Sequence, residues 1–231
     1  MKRRFKNLKR KLRWFFGILF ALMLIDASYL IAIWPNWDAY KKGPVKQGSF
    51  IEQYESERKQ HKWPRLQWTP VSINRISKNM TRALIVAEDA NFYYHSGVDF
   101  EAFWAAMEHN IEEGRFVYGG STISQQTVKN VFLSASRNPL RKWHELVLTF
   151  AMEHNLSKRR ILEQYLNVVE FGRGIYGVEA AARHYWGISA ASLSVNQAIQ
   201  LAASLPAPTG HNPATRTRFF NRRVRKISRY F

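Results

Sequence analysis

Apolar residues run almost unbroken from Trp14 to Trp34 (WFFGILFALMLIDASYLIAIW), 21 positions in which Asp26 is the only charge. About 20 residues in a helix cross a hydrocarbon core, so this run predicts a transmembrane helix. An Asp at mid-span costs about 2.5–3.5 kcal/mol on insertion scales, which the many Leu, Ile and Phe side chains offset. Trp14, Phe15, Phe16, Trp34 and Trp37 suit interfacial belts at the two ends. A cleaved signal peptide is the competing reading. Against it, apolar character resumes after Ser28, and no good small-x-small cleavage site separates the halves.

Residues 35–70 are polar and aromatic, punctuated by Pro35, Gly43, Pro44, Gly48, Pro64 and Pro70, and read as a connector. Beyond Pro70 the period is helical. Asp99 is placed to cap a helix with an apolar face of Phe100, Phe103, Trp104, Met107 and Ile111, ending at Gly114. Leu140, Val147, Phe150 and Ala151 mark another. Ser157 starts a third, with Ile161, Leu162, Tyr165, Leu166 and Val169 facing inward. Ser194 and Gln197 form a capping box before Ala198, Leu201, Ala202 and Leu205, and Pro206 stops that helix. Sustained strand alternation is absent. The expected division is a basic tail (1–13), an anchor (14–34), a connector (35–70) and one mainly α-helical domain (71–231) with any strands short.

The net charge of +18 first suggests a nucleic-acid partner, but its distribution argues otherwise. Residues 1–13 carry +8 and residues 216–231 carry +7, leaving +3 for the 202 residues between. One basic end adjoins the apolar run. Anionic lipid headgroups attract each such residue by about 1 kcal/mol near the surface, so a membrane partner is expected and a nucleic acid is not. The basic N-terminal tail should stay cytoplasmic, which places everything after Trp37 outside. The chain has no cysteine, which excludes thiol catalysis, disulfides and thiolate metal sites.

Four segments are polar where a helical domain would prefer core or plain surface. In AEDANFYYHSGVDF, Glu88 and Asp89 end an apolar helix, where partial desolvation would raise a carboxyl pKa toward the range useful for a base. A surface Glu-Asp pair is the plain alternative. In YGGSTISQQTVKN, Gly119 and Gly120 allow close backbone approach, Ser121 or Thr122 can cap the next helix, and its N-terminus suits an anion. RNPLRKWHE gathers Arg137, Arg141, Lys142 and Glu145, which could equally form a solvated face. The fourth, ILEQYLNVVEFGRGIYGVEAAARHYWG, breaks two helices at Gly172, Gly174 and Gly177, as any helix–loop–helix joint would. His144-Glu145 begins like a zinc-protease motif, but position 148 is Leu and the second ligand is missing. There is neither a Gly-x-Ser-x-Gly elbow nor a P-loop.

Together these segments closely resemble the glycosyltransferase family that polymerises peptidoglycan, found alone or as the first domain of bifunctional penicillin-binding proteins. Glu88, Asp89, Phe92, His95, Gly97 and Asp99 match its E-D-x-x-F-x-x-H-x-G-x-D pattern, and Gly119 to Asn130 match G-G-S-T-I-x-Q-Q-x-x-K-N. Arg141, Lys142 and Glu145 match R-K-x-x-E, and Ile161 to Gly187 match the fourth pattern with Trp186 where Phe is usual. Asn196-Gln197 stands where many members have an acidic residue, and the capping role of Gln197 makes that departure mild.

The resemblance implies a lysozyme-like helical glycosyltransferase domain behind one transmembrane helix in the bacterial inner membrane, with no transpeptidase domain. Lipid II and the growing glycan strand are the implied partners, beside other wall-synthesis or division proteins. Glu88 is implied as the general base and Glu145 as the second essential Glu, orienting basic groups or helping to hold a divalent cation such as Mg or Mn. Lys129 and Arg137 correspond to pyrophosphate contacts. Asp89, Phe92, His95, Ser121, Thr122, Gln125, Gln126, Asn130, Arg141 and Lys142 complete the implied substrate site. A glycan-cleaving enzyme of the same fold neighbourhood and a non-catalytic wall scaffold are the alternatives.

Overall fold

The computed structural model describes residues 2–114, 119–135 and 138–231. They divide at Asn36/Trp37 into two units. The first is helix α1, Lys2–Ala32. Its Lys9–Ala32 portion is the one helix among the described residues long and apolar enough to cross a membrane, with a mean hydropathy of 2.1. The helix does not begin at Trp14 but runs back through the basic tail, since Lys, Arg and Leu are good helix formers.

The second unit is mainly helical. It contains α2 (Asp38–Lys41), α3 (Ser49–Glu57), β1 (Gln67–Trp68), α4 (Lys78–Glu88), α5 (Phe100–Glu112), α6 (Ile123–Phe132), α7 (Pro139–Asn155) and α8 (Lys158–Val168). It continues through β2 (Glu170–Gly172), β3 (Ile175–Tyr176), α9 (Val178–Trp186), α10 (Val195–Ser204) and α11 (Arg218–Ser228). The strands form a small sheet of order β1-β3-β2, with β3 parallel to β1 and antiparallel to β2.

Helix α8 is the centre of the core, with every residue from Ile161 to Val168 buried. Helix α6 packs on α7 and α8, and α10 packs on α4 and α11. The caps fall where the sequence places them. Asp99 accepts from the Ala102 N–H at 2.8 Å, Ser157 caps α8, and Ser194 with Gln197 forms the capping box of α10.

Two expectations change in the folded chain. The stripe assigned to α5 is not a core face, for Phe100, Trp104 and Ile111 are all exposed. Leu140 and Phe150 of α7 are exposed as well. Much of the 35–70 stretch is folded onto the domain. Ile51 and Tyr54 of α3 join Val45, Val131, Val168 and Tyr176 in one buried cluster, and the Trp68 indole N–H donates to the Asn167 carbonyl at 2.8 Å.

Gly177 makes the turn from β3 into α9 with φ +81° and ψ 152°, a region essentially open only to glycine. A Cβ there would also meet the Asn167 carbonyl oxygen at 2.7 Å. Gly177→Ala is expected to destabilise the domain by about 1–3 kcal/mol from backbone strain alone, read as a lower denaturation midpoint at unchanged slope.

Candidate active site

Ser77 caps α4 by accepting from the Asn79 N–H at 3.2 Å, and Met80, Ala83 and Leu84 seat the helix in the core. The helix ends at Glu88, and Asp89 leaves it with φ −164° and ψ 75°. That change of direction separates the two carboxylates. Asp89 Oδ2 accepts from the Ile123 N–H at 2.9 Å, and both Asp89 oxygens lie 3.0 Å from His95 Nε2. The Gly97 N–H donates to His95 Nδ1 at 3.1 Å, so the ring proton sits on Nε2 and faces Asp89. The Thr122 hydroxyl donates to the Gly97 carbonyl at 2.6 Å. These bonds tie the loop after α4 to the start of α6. They also fill the α6 N-terminus, expected to receive an external anion, with the chain's own Asp89 carboxylate.

Glu88 has different neighbours. Its Oε2 accepts from Gln126 Nε2 at 3.1 Å, and its Oε1 accepts from Arg223 Nη2 at 3.1 Å. The Gln126 amide is oriented in turn by the buried Tyr165 hydroxyl, which donates to its Oε1 at 2.8 Å. Burial holds the Tyr165 phenol well above its usual pKa, so it stays a neutral donor. Burial also raises the Glu88 carboxyl above the ordinary 4.5, against the opposing pulls of Gln126 and Arg223. A cleft of about 200 Å³ opens here, lined among others by Glu88, Asp89, Asn91, Asp99, Ser121 and Thr122.

The second carboxylate lies on α7, capped by Asn138, whose Oδ1 accepts from the Leu140 N–H at 3.0 Å. Positions 141, 142 and 145 share one helix face by their i,i+3 and i,i+4 spacing. Arg141 Nη1 donates to Glu145 Oε2 at 3.1 Å, and Lys142 Nζ donates to Oε1 at 2.5 Å. Glu145 is only 2% exposed, whereas the Lys142 side chain is 54% exposed. Lys129 of α6 faces the same group. Burial, then the nearby Arg141 and Lys142 charges, lower its ammonium pKa below 10.5, with Glu145 opposing. Three cations around one carboxylate leave net positive charge, a receptor for a multiply charged anion.

Ser121 joins the two halves. Its carbonyl accepts from Gln126 Nε2 at 3.4 Å, and its hydroxyl accepts from Lys142 Nζ at 3.3 Å. A path of hydrogen bonds therefore runs from Glu88 through Gln126, Ser121 and Lys142 to Glu145. One end offers a proton acceptor, the other an anion site.

The family described as Transglycosylase matches residues 52–230, well over half of the chain. The chain belongs to this transglycosylase family. A biosynthetic peptidoglycan transglycosylase of Janthinobacterium sp. (strain Marseille) is 42% identical over 229 residues, covering 97% of this chain and 96% of that protein. Proteins of the same description from Bordetella avium and Thiobacillus denitrificans are 44% identical over 214 residues and 49% over 170. The first alignment covers 90% of this chain and 89% of the relative, the second 74% and 70%.

Within this transglycosylase most of the residues expected at the site fall into three groups. Glu88, Asp89, Ser121 and Thr122 line the cleft, and Lys129, Arg141, Lys142 and Glu145 form the cationic group. Phe92, His95 and Gln125 lie beneath as scaffold: Phe92 is fully buried, and Gln125 closes the capping box with Thr122. Gln126 has both ends of its amide engaged by protein, and the Asn130 carbonyl accepts from the Ser49 hydroxyl at 3.3 Å. Arg137 lies outside the described residues. Arg223 is the site residue that sequence reasoning missed, having been counted only as part of the C-terminal basic run. The helical period sets it between Phe220 and Ile227 on the inward side of α11, but nothing local shows that Glu88 waits there.

Proposed function

We infer that this chain polymerises peptidoglycan glycan strands from lipid II. The observation that carries the reading is the pairing of a desolvated carboxylate with a cationic group across Ser121. The acceptor sugar's 4-hydroxyl attacks the anomeric carbon of the lipid-linked donor, its proton passing to Glu88. The anomeric carbon–oxygen bond breaks, and the electron pair leaves on the pyrophosphate. Attack opposite the leaving group inverts an α-linked donor to a β-1,4 bond. A positioned base contributes about 10²–10⁴-fold. Lys129 stabilises the charge that builds on the departing pyrophosphate, and Arg137 joins it on the strength of the resemblance. Glu145 holds Arg141 and Lys142 toward the same anion. A glycan-cleaving enzyme needs a protonated Glu beside a sugar oxygen and has no use for this cationic group. Purified protein incubated with lipid II should yield polymer. Cleaved fragments from preformed glycan, with no polymer, would overturn the reading.

The donor set does not suit a divalent cation at Glu145. Both of its oxygens already accept from Arg141 and Lys142, and an incoming ion would have to displace them. The mechanism routes no step through one.

The substrate's lipid confines it to the bilayer, so an anchored enzyme meets it at high effective concentration. We assign the α1 helix as that anchor, N-terminus cytoplasmic and domain outside, from the eight basic residues that precede Trp14. A chain beginning at Trp37 retains the compact second unit. It is expected to fold, to use detergent-dispersed lipid II, and to work poorly on substrate embedded in vesicles. Equal rates on both substrates would remove the anchoring role. Protease added outside spheroplasts should digest the domain and leave a small membrane-held fragment, and a fully protected domain would reverse the orientation.

A further inference from the structure

Arg223 departs from the other basic residues of the C-terminal helix. Arg218, Arg222, Arg225, Lys226 and Arg229 are exposed, while Phe220 and Ile227 are buried and Arg223 and Val224 lie half-buried between them. Residues at these spacings share one helix face, so the packing of Phe220 and Ile227 turns Arg223 inward. There its Nη2 meets Glu88 Oε1 at 3.1 Å, joining the last helix to the end of α4 across 135 positions of sequence. Gln126 holds the other Glu88 oxygen. The carboxylate is gripped at both oxygens by donors from two different helices, which fixes its plane.

The arrangement is a poor device for stability alone. Taking an ion pair out of water often costs as much as the attraction returns. Arg223 Nε is moreover buried without a hydrogen-bond partner, an arrangement that carries its own desolvation penalty. An arginine kept only to clamp α11 against α4 would be better replaced by an apolar side chain, as Phe220 and Ile227 already are in the same stripe.

We propose that Arg223 is a positioning residue for the general base: it keeps the Glu88 carboxylate ionised in its desolvated setting and aims it at the acceptor hydroxyl. The proposal rests on the reading of Glu88 as base. The groups facing Glu88 are few. Arg223 from α11 favours the ionised form, Gln126 from α6 donates a neutral hydrogen bond, and adjacent Asp89 opposes ionisation. Tyr165 from α8 stays neutral behind Gln126. Arg223 is thus the cation that offsets burial, and its loss moves the Glu88 pKa upward.

The test is the pH dependence of kcat/KM for lipid II polymerisation in the full chain and in Arg223→Gln, Arg223→Met and Arg223→Lys. A base acts when ionised, so removing the positive charge should shift the acidic limb of both neutral variants to higher pH, by about 1–3 pH units. At a pH on the wild-type limb this is a loss of at least about tenfold, largely recovered at higher pH. Arg223→Lys retains the charge and should keep the limb near its wild-type position, with part of the rate restored. Melting curves identify any variant that fails to fold, and the two neutral replacements, one polar and one apolar, back each other up. Should neither fold, Arg223→Lys decides: a displaced limb or an unrescued rate overturns the proposal. Equal loss at every pH with an unmoved limb would make Arg223 a structural clamp and end it. Glu88→Gln separates the two claims. If that variant remains active the base reading fails, whereas an inactive Glu88→Gln with an unmoved limb in Arg223→Gln refutes the Arg223 proposal alone.

Discussion

Glu88→Gln is expected to lower the rate of lipid II polymerisation by about 10²–10⁴-fold, the contribution of a positioned general base. The replacement keeps the shape of the side chain. Its amide oxygen can still accept from Arg223, so the joint between α4 and α11 should hold. What is lost is the acceptor for the hydroxyl proton. Lipid II should still bind, because the cationic group around Glu145 is untouched. Rate and binding must therefore be measured separately, by single-turnover polymerisation and by titration with substrate. Substantial remaining turnover would remove Glu88 from the chemistry, whatever its burial and elevated pKa.

Lys129→Ala carries the other large effect. Lys129 is half-buried over the Phe50 ring, 5.5 Å from its centroid, and faces the group of Arg141, Lys142 and Glu145. Removing a preorganised charge from the point where negative charge builds costs about 10²–10³ in kcat. The fall should appear in kcat more than in acceptor affinity, because the pyrophosphate gains charge only as the bond breaks. A change confined to apparent affinity would make Lys129 a docking contact. The pH dependence follows from the direction of its shift. Burial and two neighbouring cations lower the Lys129 pKa, so the ammonium is lost at a lower pH than for an exposed lysine. Activity should decline on the alkaline side as Lys129 deprotonates, and Lys129→Arg should move that decline to higher pH, since guanidinium stays charged.

The caps show how far local chemistry reaches. Asp99, Ser157 and Ser194 lie three residues before a backbone N–H that needs an acceptor, and the folded chain uses each as the spacing indicates. The apolar run at α1 was equally legible, because crossing a membrane depends on length and composition. The α5 stripe was not. Phe100, Trp104 and Ile111 have the period of a core face, yet periodicity says only that a helix has two sides. Which side is covered depends on what other helices leave available.

The site divides the same way. The order and spacing of Glu88, Gly119 to Asn130 and Arg141 to Glu145 carried a resemblance to one family, the resemblance implied the chemistry, and comparison with relatives established the family. Helical spacing put Arg141, Lys142 and Glu145 on one face, and the folded chain turns that face inward so that both cations pair with a buried Glu145. Sequence could not separate the residues that line the cleft from those that brace it. Asp89 lines the cleft and carries oxygens suited to a ligand, yet one of them accepts from the Ile123 N–H, a contact that exists only once the end of α4 and the start of α6 are brought together. Arg223 is the plainest case. Its charge was visible and was assigned to a membrane surface along with its neighbours, because net charge has no direction. Only the packing of Phe220 and Ile227 against the domain turns that one guanidinium inward onto Glu88, for a long-range ion pair is set by the docking of two helices and by nothing within either of them.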